Sequence, residues 1–178
     1  RRWVRILGDL AMGTIVAQAV LGGVTVLLLL PPAVSATHAC LAQTFFCLTV
    51  TIALVTSPRC SAARAEPGAR VFDHVAGGLS LLTFASVYLQ LVLGAVMRHM
   101  DAGLAIPDFP LAFGRLVPPH WSTQIALHYA HRVWALAVTA AVVALAVRAL
   151  RAPAGGALAA PARLLLGLLP VQIALGGL

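Results

Sequence analysis

The chain contains no lysine, and only five of its 178 residues are acidic. Charged residues make up 10% of the chain, against about 25% in soluble domains. So few charges cannot solvate a chain that is 61% hydrophobic, which excludes a water-soluble globular domain. Cysteine is scarce too, and its three residues offer no disulfide framework. Cys40 and Cys47 lie on one helical run, ~10 Å apart along its axis, whereas a disulfide needs Cα atoms within about 7 Å. Cys60 falls on the side expected to be reducing. No cysteine- or carboxylate-rich cluster surrounds a histidine, which argues against a zinc or di-metal site.

Apolar sequence in long runs is what the chain has in abundance. Residues 10–30, 33–56, 75–97, 123–147 and 158–178 are each apolar over the length that a membrane-spanning helix needs, about 20 residues. The first run extends back as far as Trp3. The expected fold class is an all-α polytopic membrane protein. The +7 charge does not mark a nucleic-acid partner, because all twelve cations are arginines that cluster in and near the segments between the spans. Arg1, Arg2, Arg5, Arg59, Arg64, Arg70, Arg148, Arg151 and Arg163 fall on one side, and Arg98, Arg115 and Arg132 on the other. The positive-inside rule makes the richer side cytoplasmic. The lysine-free, Ala-, Arg- and Gly-rich composition points to a high-GC bacterial source, and so to a bacterial inner membrane.

A short phrase recurs three times. Gln18 precedes Leu21-Gly22, Gln90 precedes Leu93-Gly94, and Gln172 precedes Leu175-Gly176. Each copy sits late in an apolar run, and the first two are followed by a run containing a histidine. Such internal repeats mark duplicated membrane architectures with sites inside or between the repeats. Short-loop and long-loop hairpins alternate. Residues 1–56 are therefore expected to be the second hairpin of an N-terminal four-helix half, 57–74 a cytoplasmic linker, and 75–178 a truncated C-terminal four-helix half.

His38 and His131 carry the chemistry. Each is expected roughly 8–14 Å below the outer surface at 1.5 Å per helical residue. An ionisable side chain at that depth is a functional hypothesis by default. One alternative is a neutral imidazole hydrogen-bonded between helices; the sharper one is axial ligation of heme iron. His128 shares a helix face with His131, three residues on. Arg98 and Arg132 lie where they would meet heme propionates or snorkel to lipid headgroups. The loop from Arg98 to Ser122 is apolar, with turns at Gly103, Pro107, Pro110 and Gly114. Its central carboxylate, Asp108, is expected to cap or hydrogen-bond a turn, with a lid over a membrane-embedded site as the other option.

Several motifs stand in the order found in heme A synthases. They are Leu21-Gly-Gly-Val-Thr-Val26 with His38 after it, Arg98-His99, Ala102-Gly103-Leu104-Ala105, Pro107-Asp108-Phe109-Pro110 and His131-Arg132. The chain resembles that family over nearly its whole length. The resemblance implies eight transmembrane helices in two pseudo-symmetric four-helix halves, with a histidine pair in each half. One half would hold heme b and the other would receive the substrate, heme O. Carried onto this chain, His131 resembles the first ligand of the C-terminal heme b, and His38 the second histidine of the N-terminal half. The repeat spacing places the C-terminal partner ligand about twenty residues beyond Gln172.

The resemblance also implies a catalytic Glu in a Glu-x-x-His-Arg motif of a hairpin upstream of this chain. The homologous triplet here has His128 in place of that Glu. Where one version of the family's outer loop carries two cysteines, this chain has Ile106 and Ala112.

The implied reaction oxidises a methyl group of heme O to the formyl group of heme A with water-derived oxygen. The chain by itself would be inactive. The electron acceptor is open, and heme O synthase and cytochrome oxidase assembly factors are possible partners. Two other functions are compatible with the residues: a b-type cytochrome that only carries electrons, and a small transporter. Transporters of repeat design usually have broken helices at the site, and no span shows a proline pair at mid-membrane.

Overall fold

In a computed structural model, which describes residues 2–58, 69–151 and 156–177, every apolar run is a helix. These are α1 (Arg2–Leu27), α2 (Pro32–Thr56), α3 (Ala69–His99), α4 (Thr123–Leu150) and α5 (Gly156–Gly177). All five contain a stretch long and apolar enough to cross a membrane. The described residues form a polytopic helical membrane protein. Most of the linker expected at 57–74, with Arg59, Cys60 and Arg64, lies outside the described residues.

The large apolar side chains face outward along the spans, for instance Leu10, Phe46, Leu81, Leu136 and Leu168. In water this would be an inverted protein; in hydrocarbon it is the expected arrangement, because backbone groups are satisfied inside each helix. The close contacts between helices come instead from small residues, and Thr25, Ser35, Thr83, Ser86, Ala146 and Ala162 are buried. Small residues let helix backbones approach, since apolar burial drives no association within lipid.

Helices α1 and α2 pack as one hairpin and α3 and α4 as another, with α2 against α3 and α4 against α5. The first hairpin closes tightly. Leu29 and Leu30 adopt left-handed φ values of 58° and 63°, the Leu30 amide donates to the Thr25 carbonyl at 2.8 Å, and Pro32 opens α2. Proline suits that position because the first helical N–H has no partner to lose.

Polar ties cross the helices. The Trp134 indole N–H donates to the Ser86 carbonyl at 3.0 Å, and the Tyr88 and Thr44 hydroxyls meet at 2.9 Å between α3 and α2. Cys40 and Cys47 are both free thiols. Helix α5 contains two prolines, Pro161 and Pro170, nine positions apart, and remains a single helix through both, in line with the single run at 158–178.

The arginine distribution gives the fold a direction. Arg115 is exposed in the loop between α3 and α4, on the side expected to be external. With Cys40, Cys47 and Cys60 replaced, Arg115→Cys is expected to react with a membrane-impermeant thiol reagent in intact cells. Labelling only after lysis would invert the topology.

Candidate heme-binding site

The repeated phrase builds the same structure twice. Gln18 and Gly22 are four residues apart on α1, hence one turn apart on one face; Gln90 and Gly94 stand likewise on α3. Opposite each pair, on the next helix, lies one of the two deep histidines. Gln18 Nε2 is 3.4 Å from His38 Nε2, and Gln90 Nε2 is 3.1 Å from His131 Nε2.

The glycines leave room for the imidazoles. A Cβ at Gly22 would stand 3.0 Å from His38 Cε1, and one at Gly94 would stand 3.1 Å from His131 Cε1. Each ring thus has a glutamine amide at one nitrogen and a glycine under its Cε1 edge. His38 and His131 sit in separate hairpins, each with its own cradle. The role of the glutamines and glycines was not recognisable in the sequence as chemistry; the signal was the repeat itself, which falls on these two residues.

Both cradles contain polar atoms without partners. Gln18 Oε1, His38 Nδ1, Gln90 Oε1 and His131 Nδ1 are buried and make no hydrogen bond among the described residues. An unpaired buried polar group costs about 1–3 kcal/mol, and native structures avoid it. A merely structural interhelical histidine would be expected to satisfy both ring nitrogens. Imidazoles held in glycine-floored slots inside helical hairpins suit axial ligation of heme iron. Clusters of three or more metal-ligating side chains are absent among the described residues. The residues present fit a heme better than a bare metal ion.

The other candidate residues form a different unit. His128 is buried and turned towards the outer loop. The Ile106 amide donates to its Nδ1 at 3.2 Å, and Arg132 Nε–H donates to its Nε2 at 3.0 Å. A neutral imidazole has one lone-pair nitrogen, so only one of these is a full hydrogen bond, and the shorter one favours Nε2. His128, expected with the cofactor-binding group, is thus engaged at both nitrogens by protein donors.

Arg132 also donates to the carbonyls of Asp108 at 2.7 Å, Leu111 at 3.0 Å and Ile106 at 3.1 Å. With the His128 contact these four bonds use four of the guanidinium's five N–H groups, which leaves one for a propionate. Phe109 lies against the same guanidinium, 5.7 Å from its ring centroid. Arg98 is exposed at the C-terminal end of α3.

Asp108 closes the loop as a turn acceptor. Its Oδ1 accepts from the Phe113 amide and its Oδ2 from the Gly114 amide, both at 2.7 Å. The Gly114 amide above all, then the Phe113 amide and the Arg132 charge, holds this carboxyl below the ordinary aspartate range. Ile106 and Ala112 are 2% and 3% exposed and pack together with Ile125. The two positions where a version of the family's loop carries cysteines are thus brought into one apolar cluster. Tyr129 O–H reaches the Leu116 carbonyl at 3.1 Å. The outer loop is consequently a folded cap locked onto α4 through Arg132.

Fold and site together define a multi-helical membrane protein with one histidine cradled in each of two repeated hairpins. Residues 2–178 match the family model of the COX15-CtaA cytochrome oxidase assembly proteins, and the chain belongs to that family. It is 34% identical to a heme A synthase of Symbiobacterium thermophilum over 97% of this chain and 58% of the relative. It is 30% identical to a heme A synthase of Halalkalibacterium halodurans over 74% of this chain and 43% of that protein. A heme A synthase of Caulobacter vibrioides is 36% identical over 42% of this chain and 24% of its own length. The chain therefore spans about half the length of these first two curated relatives. No solved structure matches it.

Proposed function

We propose that this chain is the central part of a heme A synthase, an oxidoreductase that converts the methyl group of heme O to the formyl group of heme A. The observation that carries this reading is the duplicated Gln–His–Gly cradle, found in a chain whose curated relatives are named heme A synthases. In this reading His131 holds a resident heme b and His38 faces heme O. Gln172 and Gly176 on α5 repeat the cradle's donor face and would accept a further imidazole. The Arg98 charge at the outer end of α3 would neutralise a propionate, with the one remaining N–H of Arg132 as its nearest helper.

Heme supplies one-electron chemistry when bound, while the protein supplies orientation and electrostatics. This chain's residues would do three things. His38 and His131 present imidazoles from fixed positions; Gly22 and Gly94 let those rings lie close against α1 and α3; and the Arg132-locked cap shields the loop end of the second hairpin from water. The oxygen would come from water, and the electron acceptor lies outside what these residues define. A bacterial inner membrane, with the arginine-rich side cytoplasmic, is the setting that composition supports.

The test separates the two histidines. In full-length protein, His38→Ala is expected to leave the resident heme b in place and to abolish conversion of heme O to heme A. Chromatography of extracted hemes, read beside the reduced spectrum, measures both. If His38→Ala instead removes the same heme as His131→Ala, the two-site reading fails and an electron-carrying b-type cytochrome gains.

A further inference from the structure

The hydrogen-bond geometry around Gln90 specifies more than contact. An amide oxygen and nitrogen are interchangeable in shape, but only the NH2 end can bond to a carbonyl oxygen. Gln90 Nε2 lies 3.1 Å from the backbone oxygen of His131, so that end of the amide faces α4. The same nitrogen lies 3.1 Å from His131 Nε2. It has two N–H groups, one for each contact. A proton on His131 Nε2 would set N–H against N–H, so Nε2 must be the acceptor.

The ring is neutral at this depth, because an isolated charge in hydrocarbon is far too costly. Its single proton is then on Nδ1, the nitrogen that has no partner among the described residues. Gly94 beneath Cε1 admits the ring in this orientation.

We propose that Gln90 is a positioning residue that selects the tautomer of His131, holding its Nε2 lone pair towards the amide until a heme iron takes that lone pair. The proposal rests on the reading of His131 as an axial ligand. Which imidazole nitrogen is free to bind a metal is set by the hydrogen bonds around the ring, and mutating a residue that orients a ligand typically costs about ten- to a hundred-fold in affinity. Gln18 makes one contact, at 3.4 Å, against two at 3.1 Å for Gln90. His38 is therefore held more loosely than His131. That asymmetry suits a histidine facing an exchanging substrate against one holding a resident cofactor.

The experiment compares full-length wild type with Gln90→Leu and His131→Ala. Each protein is prepared heme-free in detergent with 15N-labelled histidine and then titrated with heme b. Gln90→Leu keeps an apolar, helix-favouring side chain of similar size, so it guards against a folding defect, and it removes the donor from Nε2. The His131 resonances are assigned by their loss in His131→Ala.

In wild type, His131 Nε2 is expected to carry no proton. In Gln90→Leu the tautomer becomes mixed and heme b affinity falls by about ten-fold. A proton on Nε2 in wild type overturns the proposal. So does heme binding by Gln90→Leu as tight as wild type or tighter, which would make the glutamine only an obstacle. A low-spin, six-coordinate heme retained by His131→Ala refutes the ligand assignment instead, whatever the tautomer shows, so the two failures are distinguishable.

Discussion

On the proposed ligation, full-length protein carrying His131→Ala is expected to lose its low-spin, six-coordinate b-type spectrum, or to convert it to a high-spin form. Two neutral imidazoles give a strong axial field, and removing one opens a coordination position on iron. The expectation can be graded by Gly94→Ala. The added Cβ would meet His131 Cε1 at 3.1 Å, close enough that the ring must shift by a few tenths of an ångström in a packed hairpin. Alanine is a better helix former than glycine by about 1 kcal/mol, so helix stability gains and a loss of heme is assignable to the ring. Gly94→Ala should retain low-spin heme with weakened affinity, and His131→Ala should retain none in the low-spin form. An unchanged spectrum in His131→Ala would remove His131 from the coordination sphere.

The second large effect is expected away from the cradles. Arg132→Ala removes the donor shared by three loop carbonyls and His128. Hydrogen bonds from a charged group contribute about 1.5–3 kcal/mol each, and losing one side chain breaks four at once. The cap over residues 100–121 should become exchange-labile by about 3 kcal/mol or more, while the spans stay folded. Arg132→Lys should not rescue it, since an ammonium cannot reproduce the planar fork.

The same cap has a defined pH dependence. The folded-state pKa of Asp108 is lowered, so its contribution is complete above the ordinary aspartate value of about 4. It is lost as pH falls through the lower folded value. Amide exchange of Phe113 and Gly114 should therefore stay protected from neutral pH to about 5 and rise only in stronger acid. Asp108→Asn should weaken that protection at neutral pH and abolish the acid transition. Equal protection of the cap in Arg132→Ala and wild type would show that the guanidinium does not hold it.

What the sequence by itself determined is the part of the molecule governed by solvent. Hydrocarbon selects helices and tolerates few charges, so five spans and their boundaries followed from apolar run length, within a few residues except where α1 and α3 begin earlier. The two deep histidines were identifiable for the same reason: an ionisable group within such a run is conspicuous. Even the function of Asp108 as a turn acceptor was foreseeable, because its neighbours are turn-forming residues.

Tertiary structure decided which polar groups meet. Gln18 and His38 are twenty residues apart and Gln90 and His131 forty-one, and hairpin closure alone brings each pair together. Arg132 illustrates the limit most clearly. As a sequence feature it is a cation beside a heme-ligand candidate and suits a propionate; in the fold most of its donors go to loop carbonyls more than twenty residues away. The helix register gives its direction, but the folded loop provides its partners, because backbone carbonyls freed at turns must find donors wherever the chain packs.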